Sequence, residues 1–115
     1  MAFKQELDLY LQFVKLEKGL SENSVISYKN DLERYFLFLA SEKKMTDLGG
    51  VTLSHIEDFL NFLVDEELLS SSSLARNISS IRGFHEFAVV EGITKANPAE
   101  LVELPKKASK LPEVL

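Results

Sequence analysis

His55 and His85 are the only imidazoles in this sequence, and cysteine is absent. Thiol nucleophiles, disulfides and thiolate metal sites are therefore excluded, and any acid–base chemistry must use histidine or carboxylates. His55 falls in the first turn of a helical pattern, where a polar residue needs no catalytic reason. His85, at 100° per residue, lies in the middle of the arc formed by Leu74, Ile78, Ile81 and Ala88, so it reads as a core histidine. The carboxylate pairs Glu57–Asp58 and Asp65–Glu66 are adjacent in sequence and diverge on a helix, which makes them a solvated face. HExxH, GxxxxGK[ST], GxSxG and GxGxxG are all missing. We assign no catalytic residue and no metal site.

A different set of side chains asks for explanation in residues 71–87, SSSLARNISSIRGFHEF. With Leu74 at zero, Ser72, Arg76, Ser79, Ser80 and Gly83 fall between about 140° and 240°, opposite the apolar row. Arg82 lies near 80°, on the flank of that row. Serine and glycine at exposed helical positions cost about 0.5 to 1 kcal/mol each relative to alanine, so the strip requires a compensating gain. Close approach to another surface supplies one. Hydroxyls and arginine can bond phosphate oxygens or base edges; equally, small side chains can admit another protein helix. Both readings stay open on residue chemistry, beside that of a plain surface. Phe87 and Val90 continue the strip near 220° and 160°, which predicts that protein covers the last turns. A second cluster, Asn23, Ser24, Ser27, Tyr28 and Lys29, stands at the start of an earlier helix, where free amides and a partial positive charge point outward.

Helical spacing accounts for the elements that hold these groups. Phe3, Leu7, Tyr10, Leu11 and Val14 mark a first helix closed by Gly19, and Leu9, Phe13 and Leu16 give it a second apolar row, so it is either central or has another partner. Ser21 caps a second helix, reaching about Ala40, with Val25, Tyr28, Leu32, Tyr35, Phe36 and Leu39 on its apolar side. A loop from Lys43 to Gly50 leads to a third, capped by Thr52 or Ser54 and carrying Ile56, Phe59, Leu60, Leu63 and Val64. The fourth starts within Ser70 to Ser73 and ends at Gly92. Asn97 and Pro98 predict a short fifth helix over Ala99 to Leu104, with Glu100 closing a capping box. No strand alternation is present.

At 115 residues the chain is one domain by length. We place it at 1–104, with 105–115 (PKKASKLPEVL) a basic linker leading to something longer. The composition, 45% hydrophobic and 27% charged, is that of a folded soluble protein. No leader or membrane stretch is evident, which implies a cytoplasmic protein. The net charge of −5 argues against a polyanionic partner, but its distribution weakens that argument. Glu57, Asp58, Asp65, Glu66 and Glu67 lie in a stretch without a cation, while Arg76 and Arg82, and then Lys106, Lys107 and Lys110, lie in stretches without an acid.

Taken together, EKGLSENSVISYKNDL, SSLARNISSIRGFHEF and NPAELVELPK resemble the N-terminal core-binding domain of Xer-type tyrosine recombinases, over about residues 7 to 115. The resemblance implies an all-α, orthogonal four-helix SAM-like bundle with a short added fifth helix and a C-terminal linker. It implies that the second and fourth helices enter the major groove of a duplex DNA recombination site. Carried over by position, the contact groups are Asn23, Ser24, Ser27, Tyr28 and Lys29, then Ser73, Arg76, Ser79, Ser80 and Arg82, with Lys106 and Lys107 in the linker. The family often has tyrosine where His85 stands, which fits a packing role. It further implies a catalytic domain, absent here, that cuts and rejoins DNA through a tyrosine phosphodiester without metal or nucleotide cofactor. Other recombinase subunits in a synaptic tetramer would be partners, in chromosome dimer resolution linked to cell division or in DNA integration. The fragment itself would not be an enzyme. The alternative is a helical protein–protein interaction module built on the small-residue face of the fourth helix.

Overall fold

The computed structural model describes residues 3–105, and these are helical: α1 (Lys4–Leu16), α2 (Glu22–Glu42), α3 (Leu53–Asp65) and α4 (Ser71–Val90), with a 3-10 turn over Leu48–Gly50 between α2 and α3. The all-α four-helix architecture is that expected. Lys106, Lys107 and the rest of the basic linker after Pro105 lie outside the described residues.

The longest helix, α2, packs against α1, α3 and α4, and α1 also packs against α4. Each helix contributes the row its spacing predicts: Leu7, Tyr10 and Val14; Leu32, Tyr35, Phe36 and Leu39; Ile56, Phe59, Leu60 and Leu63; Leu74, Ile81, Phe84 and Ala88. Burying a side chain of this size contributes about 1.5–3 kcal/mol. Aromatic rings join the helices: Tyr10 meets Phe84 edge-on at 5.7 Å, Phe36 meets Phe84 at 4.9 Å, and Phe59 lies between Tyr35 and Phe38, 5.3 Å from each.

Helix ends follow local chemistry. Ser21, Thr52 and Ser70 each accept a backbone N–H three residues on, the first at 3.2 Å. At Thr52 the box is completed by His55, whose Nδ1 accepts from the Thr52 N–H at 3.0 Å. Gly19 and Gly92 take the left-handed conformation that stops α1 and α4, with φ of 64° and 75°. Leu68 adopts φ 52° after α3 while three-quarters exposed, where no glycine relieves the backbone.

The first helix has the second partner that its two apolar rows allowed, packing on both α2 and α4, although Leu9 and Leu16 of the second row are 53% and 76% exposed. Two expectations need correction. Protein covers Phe87, through Phe13 and Tyr10 of α1 at 5.0 and 5.4 Å, but not Val90, which is exposed. No fifth helix forms over 99–104. Residues 98–101 make turns, with Asn97 Oδ1 accepting from the Ala99 N–H at 2.8 Å and the Val102 N–H donating to Ala99 O. Arg82 ties these turns to α4, donating to the carbonyls of Ala99, Glu100 and Val102, at 3.4, 3.5 and 2.7 Å. The segment is still part of the core through Ala99 and Val102, both buried.

Candidate nucleic-acid interface

The N-terminal turns of α2 and α4 are built alike. The Ser21 hydroxyl donates to Ser24 Oγ at 3.1 Å while accepting the Ser24 N–H; Ser70 does the same with Ser73, at 3.3 Å. The small residues therefore cap first. Asn23 is exposed beside its cap, and Ser24 and Ser73 are half-buried.

An ion pair joins the two helices one to three turns further in. Arg76 Nε donates to Asp31 Oδ2 and Arg76 Nη2 to Asp31 Oδ1, both at 2.9 Å. Ser80 Oγ also donates to Asp31 Oδ2, at 3.3 Å, and to Arg76 O at 3.1 Å. Asp31 is almost fully buried, at 7% exposed, whereas the Arg76 side chain is 48% exposed. Hydrogen bonding to the carboxylate raises the Arg76 pKa further, opposed by partial desolvation.

The serine strip divides lengthwise around this pair. Ser72, Arg76 and Ser79 face solvent, but Ser80 is fully buried and Gly83 is half-buried. Ser80 is thus removed from the proposed DNA-contact set, because its hydroxyl is spent inside the protein. At Gly83 a Cβ would overlap the Tyr10 hydroxyl, so the missing side chain admits α1. Smallness at these two positions serves the fold's own helices, as the helix-admitting reading requires, without any second protein.

On α2, Ser27 and Tyr28 stand one turn before Asp31 and share its side. Tyr28 is packed partly against the core and Ser27 is half-buried. Lys29 is exposed but lies about 200° round the helix from Asp31, on the other flank. Ser24, Ser27 and Tyr28 therefore share the Asp31 side of α2, as Arg76 does through the ion pair, and Lys29 does not. Arg82 is exposed as a residue, yet its Nε and Nη2 are committed to the 99–102 carbonyls.

Of the acids of α3, Asp58 lies away from this face. The helix meets the C-terminal half of α2, through Phe38–Phe59, Phe38–Phe62 and the Lys43–Asp58 bridge at 2.7 Å. Its other end, at Asp65, is joined closely to the start of α4, where the Leu69 N–H donates to Leu63 O at 3.3 Å.

The two histidines sit as their spacing implies. His85 is fully buried and its Nε2 is 2.8 Å from the Tyr35 hydroxyl, while its Nδ1 has no partner. Desolvation lowers its pKa to about 4 and pushes that of Tyr35 far up.

The residue that sequence reasoning missed is Asp31. Its signal was available: a carboxylate three residues after Tyr28 and four before Tyr35 stands among apolar positions, where an unpaired charge is not tolerated.

A bundle of four helices, with an arginine-bearing polar face where α2 and α4 meet, is the frame against which known proteins can be compared. The chain belongs to the family of the phage integrase N-terminal SAM-like domain, whose model matches residues 7–92. It is 40% identical over 109 residues to a protein named tyrosine recombinase XerD from Staphylococcus haemolyticus, which covers 95% of this chain and 36% of that one. It is 41% identical, with the same coverage, to the XerD of Staphylococcus saprophyticus, and 38% identical to that of Oceanobacillus iheyensis, over 92% of this chain and 35% of the relative. The chain thus spans about a third of the length of these relatives and corresponds to the N-terminal domain of a Xer-type tyrosine recombinase. No solved structure matches it significantly. None of the described helices is long and apolar enough to cross a membrane.

Proposed function

We propose that this domain grips the duplex recombination site of a Xer-like site-specific recombinase, with the N-terminal halves of α2 and α4 laid against one face of the DNA. The observation that carries the reading is the Arg76 guanidinium, half-exposed among Ser72, Ser79 and the capped starts of two helices. Short side chains permit close approach of backbone to phosphate, and the helix starts offer amide groups and partial positive charge to it. Residues 1–104 form the gripping unit, and Lys106 and Lys107 in 105–115 follow the DNA toward a catalytic domain that cuts and rejoins strands. The partners are that domain, the DNA site and further recombinase subunits in a synaptic tetramer, in the bacterial cytoplasm, for chromosome dimer resolution or integration.

Fluorescence anisotropy of the chain with labelled recombination-site duplex tests this. Binding is expected at low salt, weakening steeply as salt rises, with a clear loss on Arg76→Ala. Equal and negligible binding by both proteins at low salt refutes the interface.

A further inference from the structure

Resting on the reading of α2 and α4 as a DNA face, we propose that Asp31 is a positioning residue that makes Arg76 a reader of a guanine edge rather than a clamp on phosphate. The guanidinium has five N–H donors on three nitrogens. Asp31 occupies the Nε and Nη2 side, so the Nη1–Nη2 end, the other forked edge of the group, keeps its donors. That free edge has the two-pronged spacing that matches O6 and N7 of guanine in the major groove.

Two features favour base readout over phosphate binding. The pair is neutral as a unit, because the charge of Arg76 is already balanced at 2.9 Å by a carboxylate it shares with Ser80. Such a group releases little counterion on meeting DNA and gains little from a phosphate. The pair is also held. Two bonds to a nearly buried carboxylate fix the long side chain before DNA arrives, so its ordering entropy is spent during folding and not at binding. Fixed donors discriminate by geometry, which a phosphate contact does not need.

The test measures two quantities for each variant with the same chain. The first is base preference, from selection out of a pool of randomised duplexes. The second is the slope of log affinity against log salt on one selected duplex. Arg76→Lys keeps the charge and loses the fork. It is expected to lose roughly ten- to hundredfold preference for guanine at one position with an unchanged salt slope. Asp31→Asn frees the guanidinium, so preference at that position should fall and the slope should steepen by about 0.9. Asp31→Glu retains the charge but displaces the carboxylate; it should lose preference without steepening, and it serves if Asp31→Asn does not fold, as judged by circular dichroism. Unchanged preference in Arg76→Lys, or in both folded Asp31 variants, overturns the assignment while leaving the interface standing. Absence of any duplex binding by the unmodified chain overturns the interface and the assignment together.

Discussion

Acidification should weaken this domain through one residue, His85. Its imidazole is fully buried, bonded on one side to the Tyr35 hydroxyl and unpartnered at Nδ1. A proton added there finds no carboxylate among the groups the ring meets, which are the rings of Tyr35 and Phe84. The folded pKa is consequently lowered from 6.5 to about 4, by desolvation. In the unfolded chain the same histidine takes up its proton near pH 6.5. Between those values the unfolded state binds more protons, so stability falls as pH is lowered across that window and levels off below it. At 1.36 kcal/mol per pH unit, the interval from 6.5 to about 4 amounts to about 3 kcal/mol, a large share of the roughly 5–15 kcal/mol typical of a domain. Urea unfolding followed by circular dichroism from about pH 7 down to about pH 4.5 measures it. His85→Phe, which keeps a ring but cannot titrate, supplies the reference. Subtracting its curve removes the carboxylates and His55, and the remainder should rise with pH by up to about 1.4 kcal/mol per unit. The variant itself should cost about 1–3 kcal/mol near neutrality, because the Tyr35 hydroxyl is left unbonded. A flat difference curve refutes the argument.

Gly83→Ala should destabilise by about 1–3 kcal/mol through overpacking, although alanine is the better helix former. In a Tyr10→Phe background the obstructing oxygen is gone and the nearest ring carbon is at 3.5 Å, so the same substitution should stabilise by up to about 1 kcal/mol; equal signs in the two backgrounds contradict the packing account. Arg82→Ala should speed amide exchange at Val102 and Glu100, with a stability loss of about 1–3 kcal/mol. Unchanged exchange there means that the three carbonyl bonds do not hold the segment.

The helices were legible because each carries its own record. The Ser21 and Ser70 caps, the apolar rows and the left-handed glycines at 19 and 92 are all local, and they recur in the structure within about two residues of their expected places. His85 was legible for the same reason, since its angular position among Leu74, Ile78 and Ile81 already placed it inside. The turns at 98–101 were not legible because the bonds that tie them down come from Arg82, some 17 to 20 positions earlier in the chain. Similarly, a projection onto one helix put Ser80 and Gly83 on the outer strip, but the strip is wider than the solvent-facing arc. Asp31 and Tyr10, from other helices, cover its edge. The Asp31–Arg76 pair joins residues 45 apart, and no spacing rule on either helix names the other partner.

Arg82 also makes α4 a lever with two loads. Arg76 stands six residues before Arg82, about 9 Å along the helix axis, and Arg82 straps down the stretch that ends at Pro105. Any change in the tilt of α4 is therefore transmitted to residues 99–102. A small rotation of the helix carries that segment with it, so the strap sets where Pro105 stands relative to the bundle.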